Sequence, residues 1–367
     1  MANRKIMITG GGTGGHLFPA LAIGEEINSR DPNAEIHYVG SAFGLEAKVF
    51  PIKAVRHTLL PIRGFHRGFS FQGICRNAIL PLRVVRSLMK VKYVFNDFNP
   101  EIIIGTGGYA SALPLYIASK NSESIPMILQ EQNSFPGITT RLFAKKAQKI
   151  CIAFKQSEGK IKNSNIIITG NPVRKGIEKG KRDRGLIEFN FKNSSKTIFL
   201  FGGSQGSSYL NELMLRAVKN LSNAGIQVLW QTGDRDYIKY SNMESENIRI
   251  LPFINNMADA YSVSDLLVCR SGALTLAEIT ICGKPALLIP YPHAAGDHQT
   301  KNAESLYQSG AARVLNEKNL NSKKFLHALM SLVHNQKELD KMSSSSLRLG
   351  YPNATKKIVD HIIKAIA

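Results

Sequence analysis

A short apolar run, a tight cluster of glycines and then a helical pattern occur twice in this chain, once near the start of each half. The first copy is Lys5-Ile6-Met7-Ile8-Thr9 followed by Gly10-Gly11-Gly12-Thr13-Gly14-Gly15-His16. The second is Thr197-Ile198-Phe199-Leu200-Phe201 followed by Gly202-Gly203-Ser204-Gln205-Gly206. Each reads as a strand, a glycine turn and a helix whose first N–H groups can meet an anion. One such loop is a weak signal. Two in corresponding positions predict two similar α/β domains facing each other across a cleft.

The 367 residues suit two domains of about 150–200 residues each. The four cysteines, Cys75, Cys151, Cys269 and Cys282, are scattered and form no C-x-x-C pair, which fits a reducing compartment. The first apolar run is too short for a signal peptide, and no stretch approaches the roughly 18–20 apolar residues of a membrane span. A net charge of +20 points to a polyanionic partner: nucleic acid, an anionic membrane or a phosphorylated ligand. The plainer reading is a basic solvated surface. No RNP, KH or zinc-finger pattern turns this charge toward nucleic acid, so no nucleic-acid partner is expected.

Short strand-like runs alternate with helical stretches throughout, which implies parallel sheets built from βαβ units. The boundary is expected in Gly170-Asn171-Pro172-Val173-Arg174 and the polar stretch to Lys196. This gives a first domain over 1–169 and a second over 170–351. The tail is helical, with Ile358, Val359, Ile362, Ile363 and Ile366 on one face.

Gly10-x-Gly12-x-x-Gly15 matches the dinucleotide fingerprint, but the second strand ends Val39-Gly40-Ser41 with no carboxylate for a ribose, which disfavours a simple NAD enzyme. His16 sits at the mouth of the following helix, where the dipole disfavours its charged form and leaves an imidazole able to take a proton. In the second half, Cys269-Arg270-Ser271-Gly272-Ala273-Leu274-Thr275-Leu276-Ala277-Glu278 reads as a strand end, a Ser-Gly turn and a helix start. Such a helix can hold phosphate at its N-terminus, and Glu278 beside it suits a ribose diol. The polar loop Tyr291–Asn302 suits a hydroxyl-rich ligand. His293, Asp297 and His298 match no standard metal spacing, so no metal site is expected. Asp234-Arg235-Asp236 resembles a metal-nucleotide D-x-D of another sugar-transferase fold, but a three-residue match in an exposed loop is more often chance.

With these residues in place, the chain resembles, over nearly its full length, the bacterial cell-wall N-acetylglucosaminyltransferase (MurG) family. The matching blocks are Gly12–Ala20, Gly105–Tyr109, Glu131–Asn133, Gly170–Arg174, Gly202–Gly206, Arg270–Thr275 with Glu278, and His298-Gln299 with Asn302-Ala303. The resemblance implies the GT-B fold, two Rossmann-like doubly wound α/β domains, with the acceptor on the first half and UDP-N-acetylglucosamine (UDP-GlcNAc) on the second. It also implies that the helix over 352–367 packs back on the first domain. The implied reaction is inverting transfer of GlcNAc to the C4 hydroxyl of the N-acetylmuramoyl sugar of lipid I, giving lipid II for peptidoglycan. The implied setting is peripheral, on the cytoplasmic face of the inner membrane, beside cell-wall synthesis and division proteins. Another enzyme of the same fold and donor, such as a non-hydrolysing 2-epimerase, is the runner-up; an RNA-binding protein is the reading from a different class.

Carried over residue by residue, the resemblance makes His16 the base. Thr13, Gly14, Gly15, Asn133 and Arg174 fall on the donor side, with Ser204, Gln205, Ala273, Leu274 and Thr275 along the diphosphate and Arg270 adding charge. Glu278 takes the ribose, Phe253, Ile254 and Met257 frame the uracil, and His298 and Gln299 hold the sugar. Gly14, Gly15, Gly107, Gly108 and Tyr109 face the acceptor. Gln130 stands where the family often has histidine, so no role for a histidine there carries over.

A lipid-linked acceptor calls for a membrane contact. The segment Arg63–Lys92 carries seven basic residues and no acidic one, interleaved with large apolar side chains. Such a stretch suits an anionic bilayer surface. Phe69, Phe71, Ile74, Arg76, Ile79, Arg83 and Arg86 are the expected contacts, with part of the apolar set turned into the core instead.

Overall fold

The computed structural model describes residues 4–64, 77–120, 125–203 and 205–366. The chain forms two compact units, Met1–Arg174 with Asn353–Ala367, and Lys175–Pro352. The block 170–174, read from sequence as the start of the second domain, packs with the first. The reason is Asn171, which is buried and whose Nδ2 donates to the Gln132 carbonyl at 3.0 Å while its Oδ1 accepts from Gln130 Nε2 at 2.9 Å.

The first unit holds β1 (Lys5–Gly10), β2 (Glu35–Ser41), β3 (His57–Leu60), β4 (Ile102–Gly107), β5 (Met127–Glu131), β6 (Lys149–Ile152) and β7 (Ile166–Ile168). They form one parallel sheet in the order β3-β2-β1-β4-β5-β6-β7. The second unit holds β8 (Thr197–Phe201), β9 (Gln227–Gln231), β10 (Ile248–Leu251), β11 (Leu266–Cys269), β12 (Ala286–Leu288) and β13 (Ala312–Val314), parallel in the order β10-β9-β8-β11-β12-β13. Both are doubly wound sheets whose strand order reverses at the first strand. The apolar runs read from sequence become these strands because both faces are covered by helices, so a buried parallel strand shows no polar alternation. β13 departs from this pattern, an edge strand of only Ala-Arg-Val with Arg313 exposed.

The tail helix Ala354–Ala365 lies against the helix Gly14–Arg30 of the first unit. Ile358, Val359 and Ile362 are fully buried among Ile6, Ile8 and Ile36. At the rim, Arg30 Nη1 pairs with Asp360 Oδ1 at 2.6 Å. That pair is partly solvated and adds little beside the buried face.

One buried group makes the first unit sensitive to acid. His37 on β2 packs its ring 5.2 Å from that of Phe98 and shares a 2.8 Å hydrogen bond between Nε2 and Thr58 Oγ1. Its Nδ1 is buried with no hydrogen-bond partner, so a second proton there has nothing to donate to. Burial, reinforced by Arg56 and His57, lowers its pKa to about 4.

Two outcomes follow for stability. Ile358→Ala removes a fully buried side chain, and chemical denaturation of the first unit should show a loss of about 2–4 kcal/mol; a loss under about 0.5 kcal/mol means the tail is not part of this core. For His37 the unfolded chain binds the extra proton near pH 6.5 and the native chain only near 4. Native stability is therefore intact above about pH 6.5 and falls as pH drops toward 4, by up to roughly 3 kcal/mol. Denaturation across this range should be flatter for His37→Gln; identical slopes in parent and variant would rule the group out.

Candidate functional site

In doubly wound sheets ligands gather at the carboxyl ends of the strands, where the strand order reverses. In the first unit that point lies between β1 and β4, and the loops leaving these strands are Gly10–Gly15 and Gly107–Tyr109. They press together. Gly11 N donates to the Gly107 carbonyl at 3.3 Å, and a Cβ on Gly108 would sit 2.1 Å from the Gly11 carbonyl oxygen. Gly107 and Gly108, at φ +92° and +81°, leave room for the ring of His16: a Cβ on either would come within about 3 Å of its atoms, at 2.9 Å from Nδ1 and 3.1 Å from Cδ2.

His16 opens the helix Gly14–Arg30 and is half-buried. Its Nδ1 lies 3.0 Å from the Thr106 carbonyl and 2.9 Å from Gln132 Oε1. A carbonyl only accepts, so Nδ1 carries the proton and Nε2 keeps its lone pair. Gln132 is held in the matching orientation, its Nε2 donating to the Thr106 carbonyl at 2.7 Å and also to Gln130 Oε1. Thr106 Oγ1 donates to the His16 carbonyl at 2.8 Å, closing the loop onto the helix start. Gln130, at the place where a histidine was absent from the sequence pattern, is fully buried and serves as one link in this amide chain.

The first glycine loop already holds an acidic side chain of its own. Gly12 N donates to both carboxylate oxygens of Glu46, at 2.8 and 3.0 Å, and Ser41 N donates to Glu46 Oε1 at 2.8 Å. Glu46 is completely buried. Sequence reading passed over it because it stands five residues beyond the end of β2, outside the position a ribose-binding carboxylate takes; its signal was a lone acid between Gly44 and an apolar run. Tyr109 covers Gly12, and its OH reaches Ser41 Oγ at 3.4 Å. Thr13 and Gly15 are exposed at the helix mouth.

Glu131, at the end of β5, folds the neighbouring loop. Its Oε1 accepts from Asn133 N at 3.0 Å, and its Oε2 from Gly137 N at 2.9 Å and Thr140 Oγ1 at 2.6 Å. This holds Asn133 half-exposed beside Gln132.

In the second unit the reversal lies between β8 and β11. Gly203 and Gly206 take φ +91° and +73°, and the turn is closed by Gly206 N donating to the Gly203 carbonyl at 3.1 Å. Ser204 falls outside the described residues; Gln205 is exposed. The helix after this loop, Ser208–Asn223, is capped by Ser207, whose Oγ also accepts from Arg270 Nη2 at 3.1 Å. The helix after β11, Ala273–Ile281, starts differently: Gly272 is its N-cap and brings no side chain to the first turn. Leu274 and Thr275 lie half-exposed there and Ala273 is buried. Glu278, one turn on, is buried and accepts from Tyr261 OH at 2.9 Å.

Arg270 meets several partners from within its own unit. Its guanidinium is buried, pairs with Glu317, donates to the carbonyls of Ile289 and Pro290 at 3.1 Å, and stacks on Tyr209 and Tyr291. It ties together the loops after β8, β11 and β12. Phe253 is half-exposed, whereas Ile254 and Met257 are buried; Ile254 N donates to Gln231 Oε1 at 2.9 Å, and Gln231 Nε2 to the Gly203 carbonyl at 3.0 Å. Gln299 Oε1 accepts from Tyr291 N at 3.0 Å, and Ser271 Oγ donates to the Gln299 carbonyl at 2.8 Å, which places His298 and Gln299 beside the Ser-Gly turn. Asp236 of the Asp-Arg-Asp triplet accepts from Asn211 Nδ2 at 3.0 Å, and Asn211 in turn holds the buried Trp230. Arg174 is exposed at the end of the first unit. Among the described residues no group of three or more His, Cys, Asp or Glu is placed to hold a metal ion.

The helix Leu80–Phe98 has two apolar faces. Ser87, Val91, Val94, Phe95 and Phe98 are buried in the first unit, while Ile79, Leu82, Val85, Met89 and Tyr93, on the opposite side, are 47–70% exposed. Of the basic residues here Arg86 is exposed, Arg83 lies over the Phe43 ring at 5.0 Å, and Lys90 Nζ donates to the Leu59 carbonyl at 3.0 Å. Phe69, Phe71, Ile74 and Arg76 fall outside the described residues. Among the described residues no helix is long and apolar enough to cross a membrane.

Comparison with known proteins gives a consistent answer. The glycosyltransferase family 28 N-terminal domain matches residues 6–152, and the family 28 C-terminal domain matches residues 197–362. A UDP-N-acetylglucosamine–N-acetylmuramyl-(pentapeptide) pyrophosphoryl-undecaprenol N-acetylglucosamine transferase of Flavobacterium psychrophilum is 38% identical over 371 residues, covering 100% of this chain and 99% of the relative. The enzyme of the same name from Bacillus cytotoxicus is 36% identical, covering 97% and 98%. The crystal structure of Acinetobacter baumannii MurG superposes with a TM-score of 0.77 at 26% identity, over 98% of this chain and 99% of that one. The calicheamicin glycosyltransferase CalG4 shares the fold, with a TM-score of 0.71 at 13% identity over 100% and 98%. The chain belongs to this family of N-acetylglucosaminyltransferases and has the GT-B fold.

Proposed function

We propose that this chain, a member of that family, transfers GlcNAc from UDP-GlcNAc to the C4 hydroxyl of the N-acetylmuramoyl sugar of lipid I, forming lipid II with inversion. The observation that carries the mechanism is the pinned tautomer of His16: Nδ1–H is held by the Thr106 carbonyl and Gln132, leaving the Nε2 lone pair for a proton. The acceptor hydroxyl loses its proton to Nε2 as its oxygen attacks the anomeric carbon. The bond to the UDP oxygen breaks on the opposite face, which inverts the centre. UDP departs with the bonding electrons, and His16 carries the proton away.

The first unit takes the acceptor, against Gly14, Gly15, Gly107, Gly108 and Tyr109. The second takes the donor. The N-terminus of the helix Ala273–Ile281 takes the diphosphate, where its N–H dipoles meet the charge that grows on the leaving group. Glu278, held by Tyr261, accepts from the ribose diol. Phe253 offers a face to the uracil, with Ile254 and Met257 supporting it from below. His298, Gln299 and Asn133 hold sugar hydroxyls. Arg174 supplies positive charge near the phosphates, while Arg270 shapes the loops around them.

The outer stripe of the helix Leu80–Phe98 is the contact with the anionic cytoplasmic leaflet. A helix with a second apolar face on its solvent side lacks a partner for it. Arg83, Arg86 and Lys90 of the same helix suit phospholipid headgroups.

With UDP-GlcNAc and a lipid I analogue, the full chain should yield UDP and disaccharide in equal amounts; UDP release that ignores the acceptor would overturn the assignment. His16→Ala should lower kcat by about 10²–10⁴-fold with the donor KM within about twofold, and Gln132→Ala by roughly tenfold through loss of the tautomer's second hold. A His16→Ala enzyme of parental kcat sinks the base assignment. In flotation assays the parent should rise with anionic liposomes at low salt and the Arg83→Glu/Arg86→Glu variant should remain behind; equal flotation removes this helix as the contact.

A further inference from the structure

We propose that Glu46 is the built-in anion of the first glycine loop and a positioning residue for His16. This rests on the reading of His16 as the base. In nucleotide-binding sheets the loop after the first strand offers its N–H groups to a ligand phosphate. Here the chain's own carboxylate takes that place. Gly12 N spans both its oxygens, at 2.8 and 3.0 Å, and Ser41 N adds a third contact at 2.8 Å.

The backbone is shaped to admit this side chain. A Cβ on Gly11 would come 2.3 Å from Oε1, one on Gly44 2.3 Å from Oε2, and one on Gly40 2.5 Å from Cγ. Gly11 and Gly12 stand at φ +153° and +91°, a turn that brings the Gly12 N–H onto the carboxylate while Gly11 N turns to the Gly107 carbonyl. A fully buried carboxylate is costly unless charge-assisted hydrogen bonds satisfy it, and these N–H groups do so.

The path from Glu46 to the base is short and continuous. Glu46 holds Gly12. Gly11 next to it donates to the Gly107 carbonyl at 3.3 Å, and the Gly107–Gly108 turn forms the wall against which the imidazole rests. The loop is thus set before any substrate arrives, and no second anion can share the Gly12 N–H. The lipid diphosphate must find its donors elsewhere than on Gly12.

The test compares the full-length parent, Glu46→Gln, Glu46→Asp and His16→Ala, with turnover normalised to the folded fraction. Glutamine keeps the volume but turns an NH₂ toward the N–H groups. The expected result is a kcat for Glu46→Gln at least about tenfold below the parent with the UDP-GlcNAc KM within about twofold. A purely structural role lowers the folded fraction and leaves turnover per folded molecule unchanged, and that result overturns the proposal. Should Glu46→Gln not fold, Glu46→Asp is read in the same way: one methylene shorter, it cannot span both N–H groups, and a parental kcat overturns the proposal. An inactive His16→Ala beside a parental Glu46→Gln defeats this inference alone; a parental His16→Ala defeats the reading beneath it.

Discussion

The first strand of each unit runs through the middle of its sheet, and the working side chains take their positions from that constraint. β1 is flanked by β2 and β4, and β8 by β9 and β11. Helices entering on opposite faces leave a crevice at the carboxyl end of the central strand, and the loops lining it are close enough to share hydrogen bonds. His16 reaches the Thr106 carbonyl on β4, and Gln231 on β9 reaches the Gly203 carbonyl after β8. The candidate groups stand at helix starts, in loops and at strand ends, above strands that are almost entirely buried. Aligning a proton acceptor with a developing alkoxide tolerates little error, and a support of this kind limits the error.

The two glycine loops begin from the same local pattern and end with different partners. The first turns its Gly12 N–H onto Glu46, so a negative charge already sits beneath it. In the second, Ser207 caps the following helix and accepts from Arg270, and the helix after β11 starts at Gly272. The duplicated sequence pattern treats the two copies alike; only the long-range partners, Glu46 in one and Arg270 in the other, tell them apart.

The strands and the sheet class were legible because buried parallel strands write themselves as unbroken apolar runs. The sheet edge was not: Ala312-Arg313-Val314 is too short and too polar to stand out from a turn. The place of His16 at a helix mouth was legible, but its hydrogen-bond partners were not, because the Thr106 carbonyl and the Gln132 amide lie 90 and 116 residues away in the chain. The partners of Arg270 were hidden for a related reason: only the fold brings Glu317 to it from 47 residues downstream. Local pattern specifies what a residue type can do; the long-range partner decides whether it is available.

The helix Leu80–Phe98 shows how the +20 charge and a local apolar face act together under the proposed membrane contact. Its inner face is already used in the core, so the outer stripe adds nothing to folding. Basic residues near an anionic surface contribute about 1 kcal/mol each, so Arg83, Arg86, Lys90 and Lys92 supply roughly 4 kcal/mol. Partial burial of five half-exposed apolar side chains adds a similar amount, at roughly 1 kcal/mol apiece. Neither share matches the insertion of a spanning helix, and the electrostatic share is screened by salt. The result is reversible, salt-sensitive attachment. That suits an enzyme whose acceptor is anchored in the bilayer while its donor and released UDP diffuse in water, because the protein can stay beside one substrate without sealing the other's route.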